Sequence, residues 1–237
     1  MTLIAQYLLW LHIGIGGLAL VIGAGALLSR KGGRIHRKLG RLFIWLMGAV
    51  VGSAAVLLFF RFNPFLAGLT VFSGYMAFSG VRVLHRKRPD AGQCCTALDW
   101  LASVAAIFCA SGLALVVCLK LVPQSPAVIL STAGGTLLYA SYDLWRFAKP
   151  LAWPFSPHLW VYEHILKMLG AFTSVVAAFS GSVLTLFQPP WRQLWPTLVF
   201  TPISIAMVIY FSRKLRTTPN RLDLDTPERR QKTLVRK

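Results

Sequence analysis

Residues 159–186, LWVYEHILKMLGAFTSVVAAFSGSVLTL, carry the pattern that decides the fold. The run is longer than the about 20 residues that a helix needs to cross a bilayer, so it predicts a transmembrane helix. Glu163 and Lys167 begin a stripe of four- and three-residue steps, and small residues continue it. These are Gly170, Ser174, Ala177 and Gly181. A stripe that is polar at one end and small further along predicts a helix face turned into a bundle.

Six more apolar runs of similar length surround this one, and they predict the fold class. They cover residues 5–29, 42–60, 65–84, 96–122, 127–145 and 196–213. With 56% hydrophobic residues and a mean hydropathy of +0.61, the chain is predicted to be an all-α polytopic membrane protein with seven transmembrane helices. Residues 1–215 form its one domain, and residues 216–237 form a basic tail that we expect to be disordered. No Lys or Arg precedes the first run, so it predicts a helix and not a secretory signal.

The net charge of +18 is distributed unevenly, and this distribution predicts the orientation. Most of the Lys and Arg residues lie in the segments 30–41, 82–95 and 146–158 and in the tail, which are alternate connections between the runs. Basic connections stay in the cytoplasm, so we expect a multi-pass protein with its N-terminus outside and its C-terminus inside. The expected partners of these segments are anionic lipid headgroups and not nucleic acid. A membrane protein partner or a second copy of the chain is also compatible with the sequence.

Three of the seven acidic residues, Asp99, Asp143 and Glu163, lie inside apolar runs, each near a basic segment. An ionisable group in hydrocarbon costs about 2.5–3.5 kcal/mol on insertion scales, so three at one depth predict a shared polar site. We expect these acids and His164 to converge on one cytoplasm-facing cavity as catalytic groups. Lys167, also a catalytic candidate, is expected at its margin with His36. The alternative is a Glu163–Lys167 ion pair, four residues apart on one helix, that only permits insertion.

His12, His36 and His164 are the candidate cofactor ligands. His12 and His164 lie in opposite halves of their runs, and their depths differ by about 20 Å at about 1.5 Å per residue. These two therefore cannot share one haem. A b-type haem would need His164 together with His36 or His85, or His12 together with a second ligand that the sequence does not identify. A bound metal ion is the other possibility, although the sequence has no ligand motif of diagnostic spacing.

Two segments also resemble a family of uncharacterised predicted membrane proteins of bacteria. The first includes His12 and the glycines after it, the run KGGRIHRKLG at 31–40, the run FSGY at 72–75, and Gly80-x-Arg82. The second is the run W-x-x-x-H-x-x-x-M-x-G-A-F at 160–172. The resemblance implies a seven-helix protein of the bacterial inner membrane and draws attention to His12, His36 and His164. It implies no activity.

Three kinds of function fit these observations. The first expectation is a membrane-embedded redox or metal-assisted enzyme that acts on a lipid-soluble substrate at a cytoplasm-facing polar site. The second is a proton-coupled transporter in which Glu163 and Asp143 load and release protons. The third is a structural or assembly subunit without catalytic activity, whose buried charges satisfy one another or a partner.

Overall fold

The computed structural model describes residues 3–87, 92–121, 126–149, 158–184, 186 and 188–217, and the regular structure in them is entirely helical. The helices are α1 (Leu3–Leu28), α2 (Arg34–Phe60), α3 (Pro64–Arg82), α4 (Ala97–Cys118), α5 (Pro126–Ala148), α6 (Leu159–Val183) and α7 (Trp191–Thr217). A 3₁₀ turn, Val83–His85, extends α3. The all-α prediction is confirmed for the described residues. The expected tail lies outside them beyond residue 217.

Two helices begin earlier than the apolar runs predict. The structure starts α2 at Arg34 and not at residue 42, because Lys and Arg are good helix formers and the helix continues past its apolar part. It also starts α7 at Trp191 and not at residue 196, although Pro196 then lies inside the helix. Proline has no N–H for the carbonyl four residues earlier, that of Arg192. Ser180 Oγ donates to this carbonyl instead, at 2.8 Å, and so links α6 to α7.

Six of the seven helices are long and apolar enough to span a membrane, and α5 falls short of that composition. At 23 residues and about 1.5 Å per residue, α5 is long enough. Its composition is more polar because its buried face carries Thr132, Thr136 and Asp143. The structure therefore supports a multi-pass membrane protein, with α5 as a seventh helix of membrane length.

Consecutive helices run in opposite directions, which the contacts between them establish. On α1 and α2, His12 meets Ser53 while the carbonyl of Ala26 meets His36. On α3 and α5, Gly68 lies against Thr132 while Tyr75 bonds to Asp143, so these two helices run parallel. The ends at Arg82 of α3, Ala97 of α4 and Leu159 of α6 thus lie together. We call this the charged end of the bundle and its opposite the far end.

The packing is the reverse of that of a water-soluble bundle. Large apolar side chains point outward, among them Phe59 at 91% exposure and Phe108 at 80%. The interior holds small and polar residues, which allow helices to approach closely when lipid surrounds them. At Gly80 of α3, an added Cβ would overlap the side chain of Met168 on α6. The sequence also suggests close packing at Gly48 and Gly52 of α2, but the structure leaves open space there.

Candidate functional site

A fully buried ion pair joins α5 to α6 near the charged end. Lys167 Nζ lies 2.6 Å and 2.7 Å from the two carboxylate oxygens of Asp143, and each side chain is 1% exposed. Asp143 falls in the fifth turn of α5 and faces inward together with Thr136 and Ala140. Lys167 belongs to the α6 stripe that the sequence reveals. The expected pairing of Lys167 with Glu163 is wrong, because a contact between helices replaces the one within α6.

Two hydroxyl groups extend this pair toward α4. Tyr75 on α3 places its hydroxyl 2.5 Å from Asp143 Oδ2 and 3.0 Å from Ser103 Oγ. Ser103 Oγ in turn lies 3.0 Å from the backbone carbonyl of Asp99. The result is a continuous chain of hydrogen bonds across three helices, from the carboxylate of Asp143 to the first turn of α4.

The two hydroxyl protons of this chain allow two arrangements. Each hydroxyl has one proton to donate, and the carbonyl of Asp99 only accepts. With Asp143 ionised, Ser103 donates to Tyr75 and Tyr75 donates to the carboxylate, so Ser103 has no proton left for the carbonyl. With Asp143 protonated, the carboxyl donates to Tyr75, Tyr75 to Ser103, and Ser103 to the carbonyl. A proton on Asp143 thus reverses the two bonds between side chains and lets Ser103 donate to the carbonyl.

Glu163 forms a second pair beside the first. Its Oε1 accepts a hydrogen bond of 2.8 Å from the hydroxyl of Tyr142 and lies 3.7 Å from Arg146 Nε. The carboxylate is 9% exposed, so it is nearly as well buried as Asp143. It lies one turn from Lys167 along α6 and therefore next to the Asp143–Lys167 pair.

Asp99 forms the third pair, at the rim of the charged end. Arg82 donates to both of its oxygens, at 2.9 Å and 2.8 Å, and Arg86 Nη1 lies 3.4 Å away. The same carboxylate accepts the backbone N–H of Thr96 and so caps the start of α4. Asp99 therefore has a complete structural role, and its backbone carbonyl is the end of the hydroxyl chain.

The histidines divide between the two ends of the bundle. His164 Nδ1 lies 3.0 Å from the carbonyl of Gly80, and His36 Nδ1 lies 3.0 Å from that of Ala26. Carbonyls only accept, so Nδ1 carries the proton and Nε2 is the acceptor of each neutral ring. His36 and Lys87 lie near the His164 ring. His12 bonds to Ser53 Oγ at 2.8 Å near the far end, so it is separate from the other two, as the sequence predicts.

A cavity of about 400 Å³ lies between α3, α5, α6 and α7. Gly170, Ser174 and Ala177 of the α6 stripe line it, so one face of α6 serves both the cavity and the ion pair. Tyr139 and Leu166, each within one turn of the ion pair, line the cavity near the charged end, and Gln193 lines it near the far end. Asp143, Lys167, Glu163 and His164 do not line it.

The site thus differs from the expected single cavity. The three acids and His164 do gather at one end of the bundle, but as three ion pairs and a separate histidine. Lys167 is central and not marginal. Four residues of the pairs and the hydroxyl chain are not predicted from the sequence as site residues: Tyr75, Ser103, Arg82 and Arg86. Two of them, Tyr75 and Arg82, could have been recognised from their spacing. They lie seven residues, or about two turns, apart and so share one face of α3.

The potential cofactor ligands do not form a metal site in the part of the chain that the structure describes. There, His, Cys, Asp and Glu side chains form no group of three or more that could hold a metal ion. The chain has the architecture of a multi-pass helical membrane protein. Comparison with protein-family models, with curated proteins and with solved structures finds no match. The resemblance to an uncharacterised bacterial membrane family stays a prediction.

Proposed function

We propose that this chain is a proton-coupled membrane transporter for a lipid-soluble molecule. The observation that carries the proposal is the Asp143–Lys167 pair, because both side chains are 1% exposed inside a bundle whose outer surface is apolar. A buried ion pair contributes little net stability compared with apolar residues of the same volume. Ionisable groups within membrane spans are functional-site candidates by default.

The hydroxyl chain supports a role in proton movement. Protonation of Asp143 reverses the Ser103–Tyr75–Asp143 bonds, so the two hydroxyl groups stabilise both protonation states of the buried carboxylate. Protonation also removes the negative charge that holds Lys167. The bond between α5 and α6 is then weakened, and both helices line the cavity. Proton binding and the shape of the cavity are coupled through these two helices.

The separation of the ion pair from the cavity favours transport over catalysis. A general acid or base must reach the reacting atoms within about 2.6–3.2 Å or through one water. The carboxylates and Lys167 do not line the cavity, whereas a coupling group needs only to control the helices around it. The metal-assisted enzyme expected from the sequence gains no support from the grouping of the described side chains.

We also propose that α5 crosses the membrane and that the charged end faces the cytoplasm. The antiparallel course of α5 between α4 and α6 supports the crossing, and the basic segments at the charged end support the orientation. The N-terminus is then outside and the C-terminus is in the cytoplasm of a bacterial inner membrane.

Proton uptake by vesicles tests the proposal. The purified chain is reconstituted into vesicles made from the lipid extract of the expression host, which supplies lipid-soluble molecules, with a pH-sensitive dye inside. A potassium diffusion potential, negative inside, then drives proton entry. We expect wild-type vesicles to acidify faster than protein-free vesicles, and Asp143→Asn to remove the difference.

The double variant Asp143→Asn/Lys167→Met separates transport from a structural role. It leaves no unpaired charge and keeps the volume, so we expect a folded protein without proton uptake. If the pair is only structural, the double variant acidifies its vesicles as fast as the wild type. Equal rates in wild-type and protein-free vesicles would overturn the proposal.

A further inference from the structure

The cavity between α3, α5, α6 and α7 offers hydrogen-bond acceptors to a ligand. Five hydroxyl groups on its wall already donate their protons to carbonyls of their own helices, at 2.7–2.9 Å. They belong to Ser131, Thr132, Thr173, Ser174 and Ser204. Each oxygen keeps a lone pair for a further bond but has no second proton to give. At these five positions the wall is therefore suited to a ligand that donates.

One acceptor at the far end is unsatisfied. Gln193 Oε1 is buried and has no hydrogen-bond partner among the described residues. A buried acceptor without a partner costs about 1–3 kcal/mol, so a donor that reaches it binds favourably. Gln193 lines the cavity from α7. Leu194, Thr197 and Thr201 of the same helix also line it.

Much of the remaining wall is apolar. Phe65, Leu69, Phe72 and Phe200 contribute large apolar side chains, and Asp, Glu, Lys and Arg are absent from the described lining. A charged head group would have no counter-charge there and would be costly to bury. The volume of about 400 Å³ lies within the range of about 300–1,000 Å³ that is usual for small-molecule sites.

We infer that this cavity binds an uncharged amphiphile with a hydroxyl head group and a branched or linear hydrocarbon chain. The hydroxyl donates to Gln193 Oε1, and the chain extends along α6 toward Tyr139 and Leu166. This inference rests on the proposed function in one respect: the bound amphiphile is the class of molecule that the transporter would carry. The alternative occupant is the acyl chain of any bilayer lipid, which has no donor to offer.

Farnesol and its methyl ether test the inference. They have the same hydrocarbon chain, but only the alcohol donates a hydrogen bond. Binding of each radiolabelled compound is measured on the purified full-length chain in detergent, with protein-free micelles as the blank. We expect saturable binding of farnesol that is about fivefold to tenfold tighter than binding of the ether, the effect of one hydrogen bond.

Two glutamine variants locate the head group. Gln193→Met keeps the length of the side chain and removes the acceptor, so farnesol should bind as weakly as the ether, and binding of the ether should not change. Gln188→Met is the matched control, since Gln188 is an exposed residue outside the cavity. It should leave both affinities unchanged. Thr201→Trp, at an exposed position of the wall, should block both ligands.

Three results would overturn the inference: equal affinities for alcohol and ether, farnesol binding that ignores Gln193→Met, or no saturable binding. The first two would show that the cavity takes any hydrocarbon chain. Failure here is distinguishable from failure of the transport proposal, because binding is measured without a proton gradient. Tyr75→Phe, which interrupts the hydroxyl chain, should keep farnesol binding.

Discussion

At the scale of single residues, the hydroxyl of Tyr75 is the group on which proton movement depends. It is the only contact in the described residues that connects Asp143 to Ser103. Tyr75→Phe removes this oxygen and leaves the ring in place, so the Asp143–Lys167 pair keeps its own bonds. We expect vesicle acidification to fall to the protein-free rate while the free energy of unfolding drops by about 1–3 kcal/mol, the cost of leaving a buried hydrogen-bond partner unsatisfied.

Tyr142→Phe is the matched control for this prediction. Tyr142 also donates to a buried carboxylate, that of Glu163, at 2.8 Å, but it is not a member of the Asp143 chain. Its loss should lower stability by a similar amount and leave at least half of the acidification rate. If both variants lose proton uptake equally, the hydroxyl chain is not what makes Asp143 active in proton uptake.

The Asp143–Lys167 pair makes a second prediction, for stability. Lys167→Met leaves an unpaired carboxylate in the bundle, and breaking one side of a buried pair costs about 3–5 kcal/mol. The double variant Asp143→Asn/Lys167→Met should recover most of this loss. Thermal unfolding in detergent, followed by circular dichroism, measures both effects. A double variant that is as unstable as Lys167→Met would show that the charges do not compensate each other.

Residue identity predicts this site only in part. The cost of charge in hydrocarbon marks Asp99, Asp143 and Glu163 as inward-facing, and the structure confirms that all three are buried. The cost of burying a charge does not predict which basic residue pairs with each acid. When the two residues lie on different helices, their pairing depends on how the helices are rotated and aligned. The four-residue spacing favours Glu163–Lys167, but Asp143 approaches Lys167 from α5 and is bonded to it instead.

At the scale of helices, the contact of α3 with α6 holds the site together. Gly80 allows it, since an added Cβ would overlap Met168 and lie 3.0 Å from the Cβ of Lys167. Gly80→Ala should therefore push α6 away, move the carbonyl that His164 bonds, and cost about 1–3 kcal/mol. Gly112→Ala on α4 is the control, because nothing lies within 4 Å of its added Cβ.

The readout for this pair of variants is thermal unfolding together with proton uptake. Gly112→Ala should be neutral or slightly stabilising, since Ala favours helix more than Gly does. Gly80→Ala should lower both stability and uptake, because Lys167 moves with α6. A fully active and stable Gly80→Ala protein would mean that α3 and α6 tolerate a wider separation than their packing indicates.

At the scale of the whole molecule, apolar length predicts most of the fold. The seven apolar runs correspond to seven helices. The thickness of the hydrocarbon layer sets a minimum length for an apolar run, and loop segments rarely contain an apolar run that long. Helix pairing and the cavity are not predictable in this way. They depend on side-chain shape at positions such as Gly80, where composition says only that a residue is small.

The course of the chain across the membrane gives the last prediction. If α5 crosses and the charged end is cytoplasmic, residues on either side of α5 lie on opposite sides of the membrane. We would replace the four cysteines by serine and return one at a time: Cys94 itself, Leu121→Cys, Ala148→Cys or Gln188→Cys, all at exposed positions. A membrane-impermeant maleimide added to intact cells should label the cysteines at 121 and 188 only. In inverted vesicles it should label those at 94 and 148 only.

Labelling of 121 and 148 from the same side would show that α5 does not cross, despite its place between α4 and α6. A fully reversed pattern would keep the seven crossings and overturn the orientation, because it would place the basic segments outside against the charge rule.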